Sequence, residues 1–263
     1  MIKHRIWVIM TKEWADVFRN KMVLLMVALP PVLMVLLSLG TLFGTSHFGP
    51  AGMEDMKPFM GRPQFAGLTE MEAGQVLMGQ YFLTLFLLMP LIIPVSIAAY
   101  SIVGEKLQRS LEPLLATPIS TGELLLGKCL AAVTPALGVT WLSFLTFAIG
   151  ARLMAVSTLA FSRLVSPVWV LMVLVVSPLA ATMGVALSII VSSRVNDPRA
   201  VEQTIGVLVV PVLGLFLAQL AGFLTLNYAT LAVGAILLLV IDAITLRASV
   251  SVFDREAILT RWK

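Results

Sequence analysis

Six stretches of this 263-residue chain combine a length and an oiliness that only membrane-spanning helices accommodate. They cover about residues 22–44, 76–103, 129–150, 168–192, 204–222 and 229–246. An apolar, uncharged run of 18 or more residues is long enough to cross the roughly 30 Å hydrocarbon core as a helix. Residues 73–103 and 129–151 contain no Asp, Glu, Lys or Arg. Residues 203–246 hold one charge, Asp242, in 44 residues. At 1.5 Å per residue that is about 66 Å of helix, close to two crossings. Residues 223–228 are then the turn between them, as a hairpin or a short re-entrant piece. Charged residues make up 12% of the chain, against about 25% in a soluble domain. The expected fold is an all-α membrane protein, one transmembrane domain over 1–263 with six spanning helices.

Lys and Arg distribution sets the expected orientation. Segments 1–21, 104–128, 193–203 and 247–263 hold 5, 3, 2 and 4 basic residues; segments 45–75 and 151–167 hold 2 each, and 223–228 none. Fourteen against four puts both termini in the cytoplasm. The pI near 9.5 therefore reflects topology and contact with anionic lipid, and no nucleic-acid partner is expected. The first apolar run starts about twenty residues in and no cleavage site follows a short core, so a removable signal peptide is not expected. Cys129 is the only cysteine and leaves no intrachain disulfide.

Before the first span, Ile6, Met10, Trp14 and Phe18 recur every four residues, with Trp7 and Val17 widening the stripe and Arg5, Lys12, Asp16 and Arg19 opposite. That pattern predicts a helix lying at the headgroup boundary. Pro30–Pro31 predicts a kink in the first span, and Pro90 with Pro94 predicts one in the second. Gly40 with Gly44, and Gly214 with Ala218 and Gly222, have the spacing of close helix contacts.

Between the second and third spans lies GEKLQRSLEPLLATPISTGELLLGK, residues 104–128. Glu105 and Arg109 are one helical turn apart and suit an ion pair. Leu107, Leu111, Leu114 and Leu115 form an apolar stripe, and Pro118 ends that helix by forcing Thr117 out of helical geometry. Ser120-Thr-Gly-Glu123 has the capping-box pattern, which starts a second helix. A simple connecting loop needs none of this order, so the segment reads as a docking piece for another protein. The loop SSRVNDPRAVEQ at 192–203 carries a turn signal at Asn196-Asp197-Pro198 with charge from Arg194, Arg199 and Glu202. It reads as a second docking point or as a basic anchor.

GEKLQRSLEPLLATPISTGELLLGK resembles the cytoplasmic signature of ABC type-2 permeases, the membrane subunits of bacterial and archaeal ATP-driven exporters. SSRVNDPRAVEQ, the amphipathic start ending in FRNK and the six-span layout extend the resemblance over nearly the whole chain. It implies a plasma-membrane half-transporter: two permease chains, identical or related, with two copies of a separate ATP-binding subunit that carries ATP and Mg. It implies that residues 1–21 are an elbow helix and that a coupling helix lies within Glu105–Glu123. The expected coupling residues are Glu105, Lys106, Arg109, Glu112, Pro118, Ser120 and Glu123, supported by Arg194, Asp197 and Arg199. Resemblance also puts the pathway along the second and fifth spans. The external loop at 45–75, about 30 residues, lacks the large external domain of the sodium-efflux branch.

Other chemistry finds little support. The run GELLLGKC at 122–129 approaches the phosphate-binding GxxxxGK[ST] pattern but lacks its strand and its free backbone, and Cys129 replaces its hydroxyl. No cofactor is expected on this chain. Catalytic motifs and metal-spaced Cys and His are missing from the sequence, so neither an enzyme nor a metal site is expected. His47, Met53, Met56, Met60 and Met71 suggest monovalent copper only weakly and fit an external helix better. Asp242, the one ionisable residue within the spans, is a possible intramembrane site. It lies near Arg247, where it is also placed to pair or to snorkel to the interface. A self-contained secondary transporter or channel using Asp242 is the alternative function.

Overall fold

A computed structural model describes residues 2–48, 61, 65–108 and 119–252. The described elements are all helical, and six helical stretches are long and apolar enough to cross a membrane. Helix α1 is Ile2–Arg19 and α2, the first span, is Lys21–Phe48. The second span is divided into α3, Glu70–Phe86, and α4, Leu88–Leu107. Helix α5, Thr121–Met154, is the third span. After the short α6, Thr158–Leu164, the fourth span is built from α7, Pro167–Leu171, a π-helical segment, Met172–Val176, and α8, Ser177–Ser192. Helix α9, Pro198–Ile205, passes through one 3₁₀ turn into α10, Val209–Leu220, and α11 is Tyr228–Val252.

Prolines shape the spans unequally. Helix α2 runs through Pro30 and Pro31 without interruption. The second span breaks at Leu87. A helical proline clashes with the carbonyl four residues back, and for Pro90 that residue is Phe86, the last of α3. The break therefore falls one turn before the prolines.

The second span is the core around which the others pack. In its most apolar window 78% of residues are buried, compared with 11% in the fifth and sixth spans. Ile93, Ile97, Ile102 and Phe86 are fully enclosed there, and Phe86 meets Phe147 of α5 edge to face at 5.9 Å. Helices α2, α10 and α11 present long rows of exposed Leu, Val and Ile, the surface expected of helices that face lipid or another membrane chain.

Close helix contacts occur at glycines other than those the spacing picked out. A Cβ at Gly40, Gly44 or Gly214 would meet nothing within 4 Å. Gly222 has φ 78° and ends α10: Phe223 N–H bonds Ala218 O and Gly222 N–H bonds Gln219 O, a Schellman arrangement. Gly184 of α8, by contrast, sits where a Cβ would lie 2.9 Å from Leu91 O of α4.

At the opposite end from α1, buried Gln75 joins three elements. Its Nε2 donates to Leu42 O at 3.3 Å and to Met154 O at 2.9 Å, and its Oε1 accepts from Val156 N–H at 3.0 Å. Met53, Met56 and Met60 lie outside the described residues, while His47 is exposed near the end of α2.

Candidate functional site

Helix α1 packs along the start of α5. Arg5 Nη1 reaches Glu123 Oε2 at 3.5 Å, Ile9 packs on Gly127, Glu13 pairs with Lys128, and Trp14 Nε1 donates to Ala131 O at 3.0 Å. These contacts advance together along both chains, so α1 runs beside the first turns of α5 in the same direction. Its packed face is Ile6, Ile9, Met10, Glu13, Trp14 and Val17, whereas Trp7 and Phe18 are exposed. The expected apolar stripe thus turns by part of a turn, and it includes a carboxylate.

That carboxylate belongs to an ion cluster in which Glu13, Glu105 and Lys128 are buried and Lys12 is at the exposed edge. Lys128 is 4% exposed and donates to Glu13 Oε1 and Ser101 Oγ, each at 2.7 Å; its third neighbour is Glu105 Oε2, also at 2.7 Å. An ammonium has three N–H donors, and three acceptors surround this one. Lys12 contacts the other oxygen of Glu105 and lies 3.5 Å from Glu13. Two cations and two carboxylates leave the group neutral. Burial alone would raise the Glu13 carboxyl, but the charge and hydrogen bond of Lys128, with help from Ser101 and Lys12, hold it below its ordinary value. Burial would likewise lower the Lys12 ammonium, yet the hydrogen bond and charge of Glu105, then Glu13 and Asp16, hold it above.

The cluster lies where the polar segment is rooted. Glu105 is in the last turn of α4, and α5 begins after Ser120. Ser120 and Glu123 form the capping box their spacing implies: Glu123 N–H donates to Ser120 Oγ at 3.2 Å and Ser120 N–H to Glu123 Oε2 at 2.8 Å. Both roots of the segment are therefore tied to α1, through Glu105–Lys12 on one side and Glu123–Arg5 on the other. Glu105 is buried and meets Lys12 and Lys128; its expected partner along the helix, Arg109, falls outside the described residues. Arg109, Glu112 and Pro118 lie outside the described residues.

Lys106 reaches the second polar loop, donating to Ser193 O at 3.3 Å. In that loop Arg194, Asp197 and Arg199 are exposed, and Asp197 caps α9 by accepting from Arg199 N–H at 3.0 Å. A polar crevice of about 670 Å³ runs between α1, the end of α4 and Pro198, with Lys12, Asp16 and Glu105 on its walls. A second cavity, apolar and about 380 Å³, lies among α2, α4 and the α9–α10 junction, bounded by Leu29, Ile92, Val95, Ile205 and Val209.

The run 122–129 is helical within α5, with Glu123 N–H on the Ser120 hydroxyl and Leu124 N–H on the Ser120 carbonyl, and Lys128 is held in the ion cluster. Asp242 neither pairs with Arg247 nor reaches outward; it is buried against Thr182 of α8. Among the described residues no group of three or more His, Cys, Asp or Glu could hold a metal.

Residues 7–245 match the family model described as ABC-2 family transporter protein. The chain belongs to the ABC-2 transporter family. No curated protein matches the chain. This ABC-2 protein is accordingly a multi-pass membrane permease of an ABC transporter. Within it, Lys12, Glu13, Ser101 and Lys128 escaped sequence reasoning. The available signal was Glu13 itself, a carboxylate at helical spacing between Met10 and Val17, which calls for a buried cation.

Proposed function

We propose that this ABC-2 permease forms the translocation pathway of an ATP-driven exporter and is moved by a separate ATP-binding subunit docked on the segment between α4 and α5. The observation that carries this reading is the attachment of both roots of that segment to α1. A push on the segment then reaches three helices as one connected body, because coupling travels through contiguous packed and hydrogen-bonded groups. Arg109, Glu112 and Pro118 supply the docking face, Ser120 and Glu123 hold the exit helix, and Glu105 and Lys106 anchor the entry. Arg194, Asp197 and Arg199 form a second contact, linked to the first through Lys106 and Ser193.

In this reading both termini and the ion cluster face the cytoplasm of a bacterium or archaeon, as the basic-residue asymmetry favours. ATP and Mg are bound by the partner; the helical 122–129 run supports that division of labour. Two permease chains, each with one ATP-binding subunit, enclose the pathway, which the resemblance puts along the second and fifth spans, and exposed α10 of the fifth span supplies an apolar wall. An apolar cavity of about 380 Å³ falls within the 300–1,000 Å³ of small-molecule sites, which suits an apolar cargo.

The test is co-purification from lipid with the ATP-binding subunit, followed by ATP hydrolysis in the presence of candidate cargo. The complex is expected to hydrolyse ATP at a rate that cargo raises, and the permease by itself to show no turnover. Transport by the permease alone, abolished by Asp242→Asn, would establish the secondary-transporter alternative instead.

A further inference from the structure

We propose that Asp242 and Thr182 form a proton-binding site within the bilayer, in which Asp242 is held as the neutral acid and donates to the Thr182 hydroxyl. Asp242 is 5% exposed although most of α11 is open, so its carboxyl is turned into the contact with α8. Thr182 Oγ1 lies 2.9 Å from Asp242 Oδ2, 2.9 Å from Leu179 O and 3.0 Å from Pro178 O. Three acceptors thus converge on a hydroxyl that has a single proton.

A second proton resolves the shortage. With Asp242 protonated on Oδ2, its O–H donates to Thr182 Oγ1 and the threonine proton remains on a backbone carbonyl. With Asp242 ionised, the hydroxyl must abandon that carbonyl, and the charge is left with one neutral donor. Oδ1 is sealed from solvent and has no hydrogen-bond partner among the described residues. An isolated carboxylate in such a place takes up a proton rather than remain charged. The groups packed around it supply no cation: α8 and the π-helical segment carry no charged side chain, and α5 brings Cys129. The step is proton uptake from water, leaving a carboxylic acid.

The site adjoins the least regular part of its span. The π-helical segment ends at Val176, two residues before Pro178, whose carbonyl shares the Thr182 hydroxyl. π-Helical turns interrupt helices at functional positions, and proline withholds a backbone donor. Separation of α8 from α11 at this point wets the carboxyl and releases its proton, linking one proton to that movement. The site is a property of the permease chain and does not depend on an ATP-binding partner.

Infrared difference spectroscopy on the full chain in lipid at neutral pH tests it. Wild type minus Asp242→Asn is expected to contain the carbonyl stretch of a protonated carboxylic acid, and Thr182→Val, with no hydroxyl to accept the proton, is expected to move that band to higher frequency. A difference spectrum with only carboxylate bands overturns the proposal. Should Asp242→Asn fail to fold, the comparison of wild type with Thr182→Val decides: a shifted acid band supports the site, and an unshifted or absent one overturns it.

Discussion

Glu105 and Lys128 lie 2.7 Å apart across the two ends of the polar segment, one closing α4 and the other opening α5. Lys12 and Glu13 complete the contact from α1, so three separate elements share one neutral set of charges, buried except at Lys12. Breaking a buried pair is much more damaging than never having had it, because the remaining charge is stranded.

Lys128→Met leaves Glu13 and Glu105 to share Lys12, one cation for two carboxylates. The variant is expected to lose about 3–5 kcal/mol of stability, read as a fall in the thermal midpoint of the purified chain. A double-mutant cycle with Glu13→Gln should show strong coupling, with the double variant less damaged than the sum of the two. Additive losses would mean that the two side chains act independently.

Acidity should act through Glu13 and alkalinity through Lys12. The Glu13 carboxyl is held below its ordinary 4.5, so its contribution is complete above that pH and disappears as pH falls through the lower folded value. The Lys12 ammonium is held above its ordinary 10.5; its contribution is complete below that pH and disappears as pH rises through the higher folded value. The thermal-midpoint gap between wild type and Glu13→Gln is expected to be steady at neutral pH and to close in acid. A gap that persists in strong acid contradicts this assignment.

Glycine substitutions should rank by what the new methyl group meets. At Gly184 the neighbour is the Leu91 backbone carbonyl, which cannot rotate aside, and overpacking of this kind costs about 1–3 kcal/mol. At Gly79 the neighbour is the far end of the Leu164 side chain, which can move. Gly40 faces open space, so Gly40→Ala should be neutral or slightly stabilising through helix propensity. Thermal midpoints are expected to fall most for Gly184→Ala, less for Gly79→Ala and not at all for Gly40→Ala.

Gln75→Leu removes three hydrogen bonds at once and leaves Leu42 O, Met154 O and Val156 N–H without that partner. Each buried group left unpaired costs about 1–3 kcal/mol. Amide hydrogen exchange at Val156 should accelerate in the variant, with little change at residues near α1. Uniform acceleration across the chain would assign Gln75 to global stability instead.

Hydropathy alone located the six spans, because a helix in lipid has to satisfy its own backbone and show apolar side chains. The Ser120 cap was equally legible, being a local pattern within four residues. The ion cluster was not. Its members come from positions 12, 13, 101, 105 and 128, and only tertiary packing brings α1 alongside α5. The Glu105 side of the cluster was legible only as a helix-face charge, because the lysines that close on it come from α1 and α5. Small-residue spacing marks where helices are able to approach and not which chain they approach. The break at Leu87 followed from Pro90 once the clash was traced back to Phe86.

Cross-linking from Ser120 tests the central claim most directly. In a Cys129→Ser background, Ser120→Cys carrying a short thiol-reactive cross-linker is expected to capture the ATP-binding subunit in intact membranes, with the bond formed from the cytoplasmic side. Failure to capture that subunit from a complex that is hydrolysing ATP, or labelling of Ser120→Cys by an impermeant reagent from outside the cell, would contradict the account.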